Sequence, residues 1–252
     1  MPRALDHIVI ASRDLADEAE RYRKLGFQVG PRNRHPWGTE NHIVQFDGFF
    51  LELIGLGEGF RAPAPDDPVF PFAGFLDDFL RDREGLAMLV LRSNDAEADR
   101  RDFAASGLGD FPRFDFARKG RRDGREVDVA FSLAFARSEA FLEIGFFVCQ
   151  QHFPENFWSR AAQVHPNGAK GLTDLVLTHP TPDQTVDFLT AFLASEPHAT
   201  DGGWLWRQPG LEIACLTPEA FAARFGKPPP APRGLAEICF DAPGIATRGA
   251  TP

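Results

Sequence analysis

Residues 4–14 read ALDHIVIASRD and residues 85–95 read GLAMLVLRSND. Set in line, Leu5 meets Leu86, Val9 meets Val90, Ser12 meets Ser93 and Asp14 meets Asp95; further on, Gly26 meets Gly107 and Phe27 meets Leu108. One offset of 81 residues therefore carries a strand, a helix N-cap and a helix stop in register. A chain with such a duplication must bury the same face of the same unit twice, which constrains the fold more than any other feature. The exception inside the repeat is His7, which meets Met88.

In the first unit LDHIVIAS is an apolar, β-branched run and hence a strand. Asp14 is placed to cap a helix whose Leu15, Ala19, Tyr22 and Leu25 recur at helical spacing, and Gly26 stops it. An extended stretch near FQVG, a loop RNRHPWGT, a strand HIVQF, a turn at Asp47-Gly48 and a strand FFLELIGL complete the order β-α-β-β-β. Residues 86–152 repeat that order with extended FPRFDFAR, a charged turn KGRRDGRE around Asp123-Gly124, and strands VAFSLAFA and FLEIGFFVCQQ. Residues 57–84, rich in Pro and Phe, read as an irregular excursion over the sheet.

A looser third unit opens at GLTDLVLTH and continues with a helix marked by Val186, Leu189, Phe192 and Leu193, strands WLWRQ and LEIACLT, and a short helix PEAFAARFG. After PPPAP, LAEICFDAP reads as the opening strand of a fourth unit. Across the four openings the place of His7 is taken by Met88, Asp174 and Glu237. The division expected is 1–158, holding units 1–56 and 85–152, then a second, incomplete domain at 171–252. Three units and one strand do not make two pairs. Either another subunit, as in a homodimer, completes the second half, or the chain is shorter than its relatives; in both cases the last strand is expected to be covered.

The bulk numbers exclude more than they assign. A net charge of −9 argues against nucleic acid as a partner, since phosphate binding needs a positive field. No apolar run reaches 18 residues and no signal-peptide pattern opens the chain, so no membrane span is expected. Cys149, Cys215 and Cys239 are odd in number and match no zinc spacing; buried thiols in a reducing cytoplasm are the expectation. Phe is frequent, 25 against a single Tyr, which points to aromatic packing in the core.

LDHIVIASRDL followed by LGF, then RHPWGTENHIVQF, then FFLELIGL resemble the vicinal oxygen chelate superfamily, the glyoxalase-like proteins of the glyoxalase, bleomycin resistance and dioxygenase type. FFVCQQHFPENFW is similar to a bacterial glyoxalase-like subgroup. The resemblance implies an α+β fold in which two βαβββ units pair and their sheets curl into a mixed-sheet cup, with the third unit and partial fourth at the C-terminus. It also implies a divalent metal in the cup, zinc, manganese, iron, cobalt or nickel, held from the first and last strands of each unit. His7 and Glu52 fall on such ligand positions, and no organic cofactor is indicated.

Met88 departs from that pattern, because a thioether is a poor ligand for such ions and a symmetric site cannot form. On the last strand of the second unit Gln150 and His152 share a face, so His152 is the expected third ligand beside His7 and Glu52. Glu52 lies in an apolar strand and must be ligated, paired or solvated through a cavity; without a metal it becomes a general base. Trp37, His35 and Asn41 on the RNRHPWGTEN loop, with Met88 and Gln150, are the candidate substrate-binding groups. Arg32, Arg34 and Arg92 are candidate anion holders, whereas GDFPRFDFARKGRRDGR reads as a solvated hairpin tip.

Three functions follow. One is a small-molecule enzyme, a metal-dependent lyase, isomerase or dioxygenase that stabilises an enolate or oxyanion on vicinal oxygens. A second is a metal-free binding or resistance protein sequestering an aromatic or apolar ligand, which Met88 favours. The third is a structural or regulatory partner.

Overall fold

The computed structural model describes residues 2–61, 72–122, 125–242 and 245. The first unit contains β1 (Leu5–Ala11), α1 (Leu15–Lys24), β2 (Asn33–Arg34), β3 (Thr39–Gln45) and β4 (Phe50–Leu56). After α2 (Phe72–Asp82), the second contains β5 (Gly85–Arg92), α3 (Ala96–Ala105), β6 (Phe114–Arg122), β7 (Arg125–Ala136) and β8 (Gly145–Gln151). These eight strands form one curled mixed sheet in the order β2-β3-β4-β1-β5-β8-β7-β6. The duplicated caps act as the sequence requires. Asp14 accepts from the Asp17 amide at 3.0 Å, and Asp95 from Glu97 and Ala98 at 3.1 and 3.0 Å, each cap supplying about 1 kcal/mol.

Gly26 closes α1 at φ +82, and a Cβ there would stand 2.9 Å from the Asn167 side chain, so both backbone conformation and space demand glycine. The expected strand near FQVG is displaced into the short pair β2–β3. Residues 57–84 are also more regular than their Pro and Phe content implied. Helix α2 occupies much of that segment and buries Phe72, Leu76, Phe79 and Leu80 against the cup face of the sheet. The expected turn at Asp123-Gly124 and residues 62–71 lie outside the described residues.

The third unit builds a second sheet from β9 (Leu172–Thr178), β10 (Pro197–Thr200), β11 (Gly203–Gln208), β12 (Leu211–Leu216) and β13 (Gly234–Phe240), ordered β10-β11-β12-β9-β13. Helix α4 (Val186–Leu193) lies on one face; α5 (Pro218–Phe225) places Phe221 against Val176, Ala214 and Ala236 on the other. The helix-covered faces of both sheets share one apolar core, with Phe27 against Phe240 at 4.9 Å and Phe103 against Phe192 at 5.9 Å. Among the described residues β13 pairs only with β9.

One irregularity recurs in every opening strand. In a regular strand neighbouring side chains point to opposite faces. In β1, however, the pairing with β5 shifts between Leu5 and His7. Leu5, Ile8 and Ile10 all reach the helix-side core, while Val9 and Ala11 face the cup. The extra residue of this β-bulge turns Asp6 and His7 to the same side. The shift recurs in β5, whose Ala87 and Met88 both join the cup cluster, in β13 at Ala236-Glu237, and in β9 opposite Cys239-Phe240.

Candidate active site

The bulge brings Asp6 and His7 together. His7 Nδ1 lies 2.6 Å from Asp6 Oδ1, and Asp6 is fully buried. A carboxylate on Nδ1 holds the proton there and presents Nε2 to the cup. The ring stacks on Phe50, the β4 partner of His7, with centroids 4.4 Å apart. Nε2 faces Glu52 Oε2 at 3.7 Å.

Glu52 follows Phe50 by two positions on β4 and so shares its face; it is only 5% exposed. Asn41 on β3 donates from Nδ2 to Glu52 Oε1 at 2.5 Å, and Asn33 donates to Asn41 Oδ1 at 3.2 Å. His35 completes the group. Its Nε2 stands 3.7 Å from Glu52 Oε1 and 3.4 Å from the Asn41 amide nitrogen, its Nδ1 is 2.8 Å from Thr39 Oγ1, and Trp37 stacks on its ring at 4.6 Å. Burial pushes the His35 pKa down to about 4 against the opposing pull of Glu52, so the ring is neutral at pH 7. Its hydrogen bonds place the proton on Nδ1. Glu52 Oε2 accepts no hydrogen bond among the described residues.

These groups line a narrow cavity, ≈ 50 Å³ open to the centre of a water molecule. Phe72, Phe116, Phe147 and Phe157 supply apolar wall, and Arg118 reaches in from β6. Arg118 corrects the expectation of a solvated hairpin tip. Strand alternation places it on the face of Phe114 and Phe116, a signal present in FPRFDFAR. Burial depresses its pKa, partly offset by Glu52. Asp6 could not have been found this way, because alternation alone sends it away from His7.

Apart from Arg118 on β6, the duplicated half of the cup is apolar. In β1–β4, Val9 stands opposite Glu52; in β5–β8, Val90 stands opposite Phe147. Phe147 therefore occupies the place of Glu52, Leu133 that of Asn41, and Met88 that of His7. Met88 is fully buried against Gly145 and does not line the cavity.

His152 does not join His7 and Glu52. It is exposed, lies 2.8 Å from Ser132 Oγ, and borders an open depression with Asp115 and Gln150. Gln150 accepts from the Ala96 amide at 3.0 Å at the start of α3, so neither the expected third ligand nor this expected substrate contact lines the cavity. Phe147 and Cys149 face the cavity, so strand alternation turns Gln150 and His152 to the opposite face. Arg32 and Arg34 pair with Glu40, and Arg92 donates to the Gly48 carbonyl beside a separate open groove of ≈ 820 Å³. The donor chemistry of His7, His35 and Glu52 suits a transition metal, but the spacing does not. Among the described residues no group of three or more His, Cys, Asp and Glu side chains is placed to hold one.

The corresponding positions of the second sheet are neutralised. Asp174 pairs with Arg224, and Glu237 with Lys227 at 2.5 Å.

A family model described as a glyoxalase-like domain matches residues 5–193. No curated protein sequence matches the chain. Among solved structures, a hypothetical protein from Staphylococcus aureus superposes with a TM-score of 0.66 at 14% identity, over 86% of this chain and 86% of that one. A xylose isomerase-like TIM barrel/4-hydroxyphenylpyruvate dioxygenase fusion protein superposes with a TM-score of 0.54 at 14% identity, over 97% of this chain and 37% of the other. Both likenesses are of fold, which many chemistries share.

Proposed function

The chain belongs to the family of glyoxalase-like domains, and on that premise we propose that it is a small-molecule enzyme in which Glu52 moves a proton at a carbon beside a carbonyl group. The observation that carries this reading is a buried carboxylate with one oxygen held and the other open. Asn41 fixes Oε1 at 2.5 Å, while Oε2 faces the cavity beside His7. The C–H bond breaks with its proton passing to Glu52 Oε2 and its electron pair to the carbonyl oxygen, forming an enolate. Arg118 supplies positive field to that oxyanion, and the aromatic wall excludes water that would screen it. Return of the proton to another carbon makes an isomerase; expulsion of a leaving group makes a lyase.

Divalent-metal dependence is the rival of that reading, and donor chemistry alone supports it. Each imidazole has Nδ1 tied and Nε2 turned to one carboxylate, the orientation that outer partners impose on ligating histidines. No step above is routed through a metal. The apolar half of the cup, with Leu133 and Phe147, favours a further reading: a protein that sequesters an aromatic or apolar ligand.

Solvent exchange tests the proposal. Pyruvate and phenylpyruvate are incubated in D2O, and loss of the proton signal beside the carbonyl is followed by NMR. The protein is expected to accelerate exchange, and Glu52→Gln to slow it by about 10²–10⁴-fold. Equal rates for both proteins contradict the proposal, and binding without exchange leaves sequestration.

A further inference from the structure

Two buried hydrogen-bond donors on the wall of one cavity have no acceptor. Trp37 Nε1 and Arg118 Nε both lack a partner, and both residues line the cavity that Glu52 faces. A buried donor without an acceptor forfeits a hydrogen bond, and native proteins leave few of them. The two come from different elements, the loop before β3 and the edge strand β6, so no single local accident accounts for both.

Their charge balance is equally one-sided. Arg118 shares the cavity with Glu52, yet no salt bridge joins them among the described residues, and Glu52 is held by Asn41 on the opposite flank. Arg118 Nη1 donates to the Lys119 carbonyl at 3.4 Å, outside the cavity lining, and no cavity group accepts from Nε. His35 Nε2 is turned to Asn41 and Glu52, His7 Nε2 to Glu52, the Asn41 amide is held by Asn33 and Glu52, and the rest of the wall is aromatic or aliphatic apart from the Cys149 thiol. The Arg118 Nε–H and the indole N–H thus offer donors to a group with more than one acceptor oxygen and a negative charge.

We infer that the cup binds a small carboxylate, its acid group accepting from Arg118 and Trp37 and its other end lying towards Glu52. Only the orientation towards Glu52 rests on the proposed proton transfer; the anion site stands on the two donors. A planar carboxylate matches two donors set among flat rings, Trp37 standing edge-on to Phe116 at 4.9 Å. A 2-oxo acid is the member of this class that sets a carbonyl beside the docked acid and an acidic C–H beyond it. Arg118 and Trp37 would then select for the acid, and the aromatic wall for what is attached to it.

The test is calorimetric titration of the full chain with acetate, benzoate and phenylacetate, each beside its neutral amide. At least one acid is expected to bind about tenfold or more tighter than its amide, as a charge-assisted hydrogen bond implies. Arg118→Gln should remove that preference. Arg118→Lys should restore part of it, and Trp37→Phe should weaken the acid several-fold. Arg118 lies on an edge strand, so the substitution spares the core. Glu52→Gln is expected to bind the acid at least as tightly as the wild type while losing proton exchange, which separates this inference from the function proposed above. It is overturned if no acid binds better than its amide, or if Arg118→Gln keeps the preference.

Discussion

Ile8 stands opposite Leu89, the residue that duplicates it 81 positions later. A residue that pairs with its own duplicate marks the pseudo-twofold axis between the two units. His7 then faces Val90 and Val9 faces Met88, each the other's image. The axis assigns every cup position a counterpart, and on the duplicated side His7, Asn41 and Glu52 have become Met88, Leu133 and Phe147. The cup keeps one polar half and one half that is apolar except for Arg118.

The fit of Met88 into that apolar half depends on Gly145. A Cβ at Gly145 would stand 2.8 Å from Met88 Cγ, closer than side-chain packing allows. Gly145→Ala is expected to cost about 1–3 kcal/mol of stability through overpacking. Adding Met88→Ala should recover part of that loss, so the two changes are not additive in urea unfolding. Additive losses would mean the residues do not touch.

His35 gives stability a pH dependence. Its folded pKa, lowered by burial to about 4, lies below the unfolded value near 6.5. Between these values the unfolded chain binds the proton and the folded chain does not. The contribution is therefore full above about pH 6.5 and lost progressively as pH falls towards 4. From pH 7 to pH 5 the loss is on the order of 2 kcal/mol. Urea midpoints measured at both values should show it, and His35→Gln should remove that share; an unchanged share in the variant contradicts the assignment.

The thiols should be inert in the folded protein. Burial raises Cys149 well above the ordinary range, Cys215 to about 12 and the half-buried Cys239 to about 11. At pH 8 a disulfide reagent is expected to react more than about a hundredfold slower with native than with denatured protein, Cys239 leading. Rapid native reaction of Cys149 would show that the cup opens to the reagent.

His152 sits with Ser132 outside the cup. Its replacement by Ala should leave ligand binding and proton exchange within about twofold, as expected for an exposed position distant from the chemistry. A loss comparable with that in Glu52→Gln would return His152 to the site.

The sequence made the scaffold legible where single residues have local consequences. Asp14 and Asp95 cap helices and Gly26 stops one, and each acts within a few residues of itself. Glu52 was also visible, as a carboxylate in a strand too apolar to leave it alone. The far side of the cup was not. His7 and Met88 are 81 positions apart, but Glu52 and Phe147 are 95 apart, because the second unit carries the long β6–β7 hairpin where the first has only two residues in β2. One fixed offset therefore fails beyond the helix, for 81 positions after Glu52 stands Leu133 and not Phe147. Asp6 stayed hidden for another reason. The bulge is a property of strand pairing, and alternation within one strand gives the wrong face.

The most direct measurement is the rate of proton exchange after divalent ions have been stripped with chelator. If Glu52, positioned by Asn41 and flanked by His7, is the acting group, stripped and untreated protein exchange the 2-oxo acid proton at the same rate, and Glu52→Gln does not. Exchange that vanishes on stripping and returns with a divalent ion would contradict that account.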